Sequence, residues 1–135
     1  MVFDFSFEEL NFIVNNECCR LATTSFRNKP HVVPVCYIFV DGCFFISTDY
    51  NTKKLKDITN NPFVSLVVDE YVPQNHKGIV VCGDVEIIGR GESFTNIYTR
   101  FFNKFDWVRK DPWTEGQAPF LKINPYSKVS WGLKN

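Results

Sequence analysis

The chain has 135 residues, of which 15 are basic and 15 acidic, so its formal net charge is zero, and 44% are hydrophobic. This length and composition predict one folded domain over residues 1–135, with a single core. A neutral chain lacks the basic surface on which nucleic-acid binding depends, which argues against nucleic acid as the main partner.

Cysteine usage and the N-terminal sequence restrict the location of the protein. The N-terminus has no basic segment followed by an apolar run, so no secretory signal is expected, and no apolar stretch approaches the roughly 18 residues that span a membrane. No Cys-x-x-Cys pattern occurs and the two histidines are isolated, so no metal site is expected. Reduced thiols in a cytoplasmic protein are the favoured interpretation of five cysteines: Cys18, Cys19, Cys36, Cys43 and Cys82.

The first predicted elements are a short helix and a hairpin. Ser6 and Glu9 form a capping-box pattern before apolar residues at helical spacing, which predicts a helix over residues 6–16. The run "CRLATTS" predicts a strand, and the runs "HVVPVCYIFV" and "CFFIST" around Asp41-Gly42 predict a hairpin. Pro34 cannot donate a ladder hydrogen bond, so it should lie at an edge or a bulge.

The middle of the chain predicts a second helix and two strands. The helix should begin near Thr52 and end at Asn61-Pro62. The run "FVSLVVD" then predicts one strand, and "GIVVCGDVEIIGRG" predicts a long strand with a bulge or tight bend at Gly83.

The last third begins with an aromatic stripe at helical spacing over residues 92–105, which predicts an amphipathic helix packed on the sheet. Residues 106–118 read as a tryptophan-rich loop, and "PFLKI" and "KVSWGL" as two closing strands around an "NPYS" turn. Six or seven antiparallel strands with helices in the crossovers predict a mainly β fold, a small barrel. Because edge strands and exposed aromatics need covering, a homodimer is expected.

A lysine pair raises the question of a bound anion. Lys53 and Lys54 fall in the first turn of the second helix, where cations oppose the helix dipole by a few tenths of a kcal/mol each. An anion there would meet free N–H groups, both ammonium groups and the hydroxyls of Ser47, Thr48 and Thr52. The residues alone leave two interpretations open, a phosphate site and a solvated charged face.

Residues 20 to 69 combine several motifs in a fixed order. A "LATT" strand precedes "KPHVVPV", a hairpin and a strand ending in Ser-Thr, and then comes "TKKLKDITNNPFVSL". Together with the tail "PFLKINPYSKVSWGL", this order resembles the FMN-binding split-barrel family related to pyridoxamine 5'-phosphate oxidase. The resemblance implies a small antiparallel split β-barrel that is homodimeric and binds FMN at the dimer interface.

The resemblance also implies cofactor-binding roles for ten residues: Val33, Pro34, Val35, Cys36, Ser47, Thr48, Thr52, Lys53, Lys54 and Trp131. The lysine pair and the three hydroxyl residues would hold the ribityl phosphate. The backbone of the four residues from Val33 to Cys36 would flank the isoalloxazine ring. A tryptophan from the second subunit would cover that ring, with Trp131 the first candidate ahead of Trp113 and Trp107.

The implied activity is that of a flavin-dependent oxidoreductase. Pyridoxamine phosphate oxidases carry an arginine where this chain has Val33, and they have a longer C-terminal region, so oxidation of pyridoxamine phosphate itself is not expected. No catalytic set of side chains is evident, so the flavin would supply the chemistry. Three alternatives remain: the deazaflavin F420 with help from Lys29, Lys56 or Lys128, single-stranded nucleic acid, and a non-catalytic interaction module.

Overall fold

The computed structural model describes residues 3–133 and contains four helices and seven strands within that range. The helices are α1 (Phe7–Val14), α2 (Lys53–Asn60), α3 (Gly91–Lys104) and α4 (Asp106–Lys110). The strands are β1 (Cys18–Thr24), β2 (Pro30–Cys36), β3 (Ile38–Val40), β4 (Cys43–Ser47), β5 (Phe63–Glu70), β6 (Lys77–Ile88) and β7 (Phe120–Trp131).

All seven strands belong to one antiparallel sheet with the order β2-β1-β5-β6-β7-β4-β3. The strands β2 and β3 lie at opposite ends of this order, yet only Tyr37 separates them in the chain. The sheet therefore has to curl until its two edges approach each other. Tyr37 is 1% exposed, and its hydroxyl donates a 2.5 Å hydrogen bond to the Ile13 carbonyl, which fixes this corner. The predicted mainly β barrel is confirmed.

The predicted hairpin is confirmed at β3 and β4, but its first arm is shorter than expected. Asp41 and Gly42 both have positive φ, as a two-residue type I′ turn requires, and Val40 pairs with Cys43 on either side. The run "HVVPVCYIFV" is not one strand, because Tyr37 divides it into β2, which pairs with β1, and β3, which pairs with β4.

Pro34 lies at the sheet edge, as predicted. The Tyr37 N–H donates to the Glu17 carbonyl at 2.9 Å, so these two residues form a hydrogen-bonded pair. Pairs alternate along an antiparallel ladder, which places Pro34, opposite Arg20, at a non-hydrogen-bonded position. Because β2 is the first strand of the sheet, its backbone groups at such positions point away from β1, where proline has no donor to lose.

The pairing of β6 with β7 contains a bulge at Gly83, as predicted. Cys82 pairs with Ser127 and Gly83 with Pro125, so Tyr126 is an extra residue in β7. A Cβ atom at Gly83 would lie 2.6 Å from the Asn124 carbonyl oxygen, so the close approach of the two strands requires a residue without a side chain at this position. The prediction of two closing strands around "NPYS" is wrong, because the bulge accommodates Pro125 and β7 continues through it.

The sheet separates two apolar clusters. The first fills the inside of the curl and is capped by α1 and α2; it includes Ile13, Leu21, Phe44, Leu55, Leu66, Val81 and Ile123. In the second, the aromatic stripe of α3 packs on the sheet as predicted, with Phe94, Phe101, Phe105 and Phe120 buried together. Residues 106–118 are not wholly a loop: α4 buries Val108 in the second cluster.

The capping box of α1 is confirmed and reaches across the fold. The Ser6 hydroxyl accepts from the Glu9 N–H, while the Glu9 carboxylate accepts from the Ser6 N–H at 2.9 Å. The same buried carboxylate accepts hydrogen bonds from the Lys128 ammonium and, at 2.7 Å, from the Ser130 hydroxyl. Glu9 therefore ties the first helix to the last strand.

Residues 3–133 contain neither a cluster of metal-ligating side chains nor a helix that could span a membrane. Within that range, no three or more His, Cys, Asp or Glu side chains are grouped so that they could hold a metal ion. Over the same residues, none of the helices has the length and apolar character needed to cross a membrane.

Candidate functional site

A cavity of about 610 Å³ opens where β4 ends beside the start of α2 and the segment after α4. Its volume is within the roughly 300–1,000 Å³ of typical small-molecule sites. The end of β4, the start of α2, and α4 with the segment that follows it provide the lining residues: Ser47, Thr48, Asp49, Lys54, Trp107, Asp111, Pro112, Trp113, Gln117 and Ala118.

The hydroxyl end of the cavity is held by contacts between β4 and α2. The Thr48 N–H donates to the Pro119 carbonyl at 3.2 Å, and the hydroxyls of Thr48 and Thr52 hydrogen-bond at 2.8 Å. Thr52 is the N-cap of α2 and accepts from the Leu55 N–H at 3.4 Å. Ser47 and Thr48 thus line the cavity, and Thr52 fixes the helix start beside them.

Lys54 provides the cation of the cavity. Burial lowers the pKa of its ammonium below the usual 10.5, and Asp49 opposes this shift. Among the described residues, no carboxylate lies within ion-pair distance of Lys54. Its ammonium is therefore partly desolvated without a direct counter-ion, at the helix end where free N–H groups also favour negative charge.

Lys53 has different surroundings from Lys54. Its ammonium lies 3.3 Å from both carboxylate oxygens of Asp57, and it does not line the cavity. The Asp57 side chain is 4% exposed and also accepts a 3.1 Å hydrogen bond from the Thr23 hydroxyl. The structure therefore places only one ammonium of the lysine pair at the cavity.

Two parallel indole rings form the apolar wall of the cavity. The planes of Trp107 and Trp113 are 7° apart, with ring centroids at 6.3 Å. The Trp113 indole donates to the Ala118 carbonyl at 3.2 Å, and its backbone N–H donates to the Tyr98 hydroxyl at the same distance. This wall is therefore held by defined hydrogen bonds at Trp113.

Trp131 lies elsewhere on the chain, at the end of β7. Its ring packs on Gly78, where a Cβ atom would be 2.7 Å from the indole, and its centroid is 5.6 Å from that of His76. Its buried indole nitrogen has no hydrogen-bond partner among the described residues. Its suggested role on the flavin of a second subunit stays a prediction.

The four predicted residues of β2 divide into two pairs. The backbone groups of Val33 and Val35 face β1, whereas Pro34 and Cys36 hold the outward-facing positions at the sheet edge. Cys36 packs against the second apolar cluster, near Trp107 of the cavity wall. Burial, followed by the neighbouring Cys18, raises the pKa of the Cys36 thiol to about 11.

Sequence reasoning missed three polar lining residues, Asp49, Asp111 and Gln117. The sequence predicts residues 106–118 only as a tryptophan-rich loop, and nothing in it singles out Asp111 or Gln117. The lining thus carries two carboxylates and one ammonium, so an anionic group is favoured only at the Lys54 end. A ligand with one charged end and a planar aromatic end fits this arrangement.

The sequence of this chain matches a known protein family over most of its length. The family model for pyridoxamine 5'-phosphate oxidase matches residues 8–125. The chain belongs to the pyridoxamine 5'-phosphate oxidase family. Among curated proteins, none matches it.

Solved structures confirm the split-barrel fold of this family member. The heme storage protein HutZ from Vibrio cholerae has a TM-score of 0.81 and 14% identity, over 92% of each chain. An FAD-binding protein from Mesorhizobium loti has a TM-score of 0.76 and 22% identity over 94% of each chain. A heme-binding protein from Mycobacterium smegmatis has a TM-score of 0.78 and 13% identity, over 99% of this chain and 57% of its own.

Proposed function

We propose that this member of the pyridoxamine 5'-phosphate oxidase family binds FMN in the 610 Å³ cavity as a flavin-dependent oxidoreductase. The observation that carries the proposal is the partly buried ammonium of Lys54, which faces the cavity beside the hydroxyls of Ser47 and Thr48. A phosphate there accepts charge-assisted hydrogen bonds and offsets the desolvation of the ammonium.

The rest of the cavity suits the remainder of FMN. The Trp107 and Trp113 rings offer flat apolar surfaces to an isoalloxazine ring. Neither Pro34 nor Cys36 lines the cavity, but their outward backbone groups are free of the β1 ladder, so a ring that extends beyond the cavity can meet them at its polar edge. When bound, the flavin supplies the electron-transfer chemistry, while these residues orient it and exclude water.

A homodimer is part of the proposal because the outer face of the sheet exposes apolar side chains. Val67, Val80 and Val129 are cross-strand neighbours on β5, β6 and β7, and Val129 is 61% exposed. On the β2 edge of the same face, Val32 is 62% exposed. Such a surface is typical of a subunit interface.

Two of the similar proteins are named for heme storage or heme binding, but the cavity lacks suitable groups for heme iron. Proteins hold heme iron through His, Cys, Met or Tyr side chains, and none of these lines the cavity. The absorption spectrum of purified protein separates the candidates, since flavin, F420 and heme absorb differently. A heme spectrum in the protein as isolated would contradict the FMN proposal.

The proposal is tested by titrating the apoprotein with FMN, and with riboflavin as a matched ligand without the phosphate. Lys54→Ala should weaken FMN binding by roughly 10- to 100-fold, as expected for one charge-assisted hydrogen bond of about 1.5–3 kcal/mol, with little effect on riboflavin. Lys56→Ala removes an exposed lysine of the same helix and should leave both affinities unchanged. Equal FMN affinity of Lys54→Ala and wild type would overturn the site.

A further inference from the structure

Two cysteine sulfurs lie 3.7 Å apart on neighbouring strands, at Cys18 of β1 and Cys36 of β2. The two residues are directly opposite each other in the antiparallel register. The adjacent pair, Glu17 and Tyr37, is hydrogen-bonded, so Cys18 and Cys36 form a non-hydrogen-bonded pair. Such pairs have Cα atoms about 4.5 Å apart and side chains that approach each other closely.

This geometry is compatible with a disulfide. Disulfides join cysteines whose Cα atoms are roughly 4.4–6.8 Å apart, and their sulfurs are about 2.05 Å apart. Rotation of one or both side chains brings the two sulfurs from 3.7 Å to bonding distance without changing the register of the strands. The pair is therefore preformed by the sheet.

The other three cysteines have different partners. Cys19 faces the opposite side of β1 and is 2% exposed, and burial raises the pKa of its thiol to about 12. Cys43 donates to the Asn124 side-chain oxygen at 3.4 Å, and Cys82 contacts the Ser65 hydroxyl at 3.6 Å. Among the described residues, Cys18 and Cys36 are thus the only thiols in contact with each other.

The two thiols of the pair differ in access to solvent. Cys18 is exposed, whereas Cys36 is half-buried beside Trp107. A small molecule in solution therefore reaches the Cys18 sulfur first. The Cys36 sulfur, 3.7 Å away, is close enough to act as the resolving thiol. Since Trp107, which lines the cavity, is close enough to Cys36 to influence its thiol, a change at that sulfur also alters the surroundings of this wall residue.

We propose that Cys18 and Cys36 are a redox-active pair that forms a reversible cross-strand disulfide by exchange with a low-molecular-weight disulfide. The Cys18 thiolate attacks one sulfur of that disulfide and releases one small thiol, leaving a mixed disulfide on Cys18. The Cys36 thiolate then attacks the Cys18 sulfur and releases the second small thiol. The two protein thiols lose two electrons and two protons, and the small disulfide is reduced to two thiols.

In the test, the full chain is equilibrated with glutathione buffers of increasing oxidised fraction. The remaining thiols are then alkylated in denaturant, and the mass of the protein is measured by mass spectrometry. Of the five cysteines, three should remain alkylatable in the oxidised form, with Cys18 and Cys36 linked in one peptide pair. Trp107 should report the same transition as a change in indole fluorescence at the same glutathione ratio. This readout does not require a flavin, so it is independent of the proposed FMN site.

Matched variants separate the pair from the other thiols. Cys82→Ser should keep the transition at the wild-type glutathione ratio, with two alkylatable thiols left of its four. Cys36→Ser should stop at a mixed disulfide between glutathione and Cys18, and it should lose the shift in fluorescence. Retention of all five thiols in wild-type protein, or a stable mixed disulfide on wild-type Cys18, would overturn the proposal.

Discussion

The ammonium of Lys53 lies 3.3 Å from both carboxylate oxygens of Asp57, one helical turn further along α2. The next residue, Lys54, makes no such contact and lines the cavity instead. Successive helical residues are about 100° apart around the axis, so adjacent lysines face different surroundings. One balances a buried carboxylate, and the other is available to a ligand.

Replacement of Lys53 by methionine should therefore affect stability more than ligand binding. Lys53→Met keeps much of the aliphatic side chain but leaves the buried Asp57 carboxylate with the Thr23 hydroxyl alone. Because the Lys53 side chain is 52% exposed, we expect a loss of only about 1 kcal/mol in the free energy of unfolding. Urea denaturation measures this loss.

The same variant tests the division of roles when FMN binding is measured alongside. Its affinity should stay within about threefold of wild type, a difference of roughly 0.7 kcal/mol at most. A loss of FMN affinity as large as that of Lys54→Ala, with unchanged stability, would show that Lys53 leaves Asp57 to bind the phosphate.

FMN affinity should decrease at high pH, and the decrease should begin at a lower pH than for a lysine with the usual pKa of 10.5. Burial lowers the folded-state pKa of Lys54 below 10.5, so its charge is lost as pH rises through that lowered value. Lys54→Arg keeps its charge, because the pKa of arginine is above about 12, and its affinity should stay flat up to about pH 10.5. Titrations at increasing pH measure both curves; parallel decreases in the two proteins would contradict the assignment.

The same shift has a consequence for the ligand-free protein. A lysine whose folded pKa is lowered destabilises the fold while it is charged, which is the state below the folded pKa. This cost is relieved as pH rises from the folded pKa towards the unfolded value of 10.5. A bound phosphate removes part of the cost, so FMN should stabilise wild type more than Lys54→Ala in thermal unfolding at neutral pH.

Local signals in the sequence predicted most of the fold because each depends on few residues. Asp41-Gly42 determines its hairpin through two positive φ angles, and Ser6 and Glu9 determine the start of α1 through their own hydrogen bonds. The predictions were wrong where the conformation of a segment depends on pairing with a strand distant in sequence. The split after Cys36 follows from the closure of the sheet, and the continuity of β7 through Pro125 follows from the bulge opposite Gly83.

The candidate site was predictable to a similar degree. Ser47 and Thr48 lie beside Lys54 at the cavity because strand end and helix start are adjacent in sequence, and the role of these residues towards a phosphate stays a prediction. The Lys53 side chain points towards Asp57 because that carboxylate is buried, and the hydrophobic periodicity of the sequence alone does not reveal this burial. The wall of Trp107 and Trp113 depends on how α4 packs under α3, a contact between separate elements.

The bulge makes a separate prediction about stability. Gly83→Ala places a methyl group 2.6 Å from the Asn124 carbonyl oxygen and 2.8 Å from the Ile123 side chain, so β7 has to shift. Overpacking of this kind costs about 1–3 kcal/mol in the free energy of unfolding. Gly89→Ala is the control, because its methyl would meet only the movable Tyr50 hydroxyl at 3.0 Å. Similar losses in the two variants would argue against the bulge as the cause.

Glu9 should make the stability of the protein depend on acid pH. Burial acts to raise its pKa, but hydrogen bonds from Lys128, the Ser6 N–H and Ser130 outweigh burial and hold the pKa below the usual 4.5. A carboxylate with a lowered folded pKa contributes stability that is fully present above about pH 4.5. That contribution is lost as pH falls through the folded pKa.

Glu9→Gln should therefore lose about 1.5–3 kcal/mol at neutral pH, the range for hydrogen bonds to a charged group. The gap between this variant and wild type should narrow as pH falls below about 4.5, because protonation removes the same charge from wild type. Glu8→Gln, one residue earlier in α1, removes an equal charge without these contacts and should stay within about 0.5 kcal/mol of wild type. Urea denaturation at several pH values measures all three proteins, and a gap that stays constant between neutral and acid pH would show that the charge of Glu9 is not what holds α1 to β7.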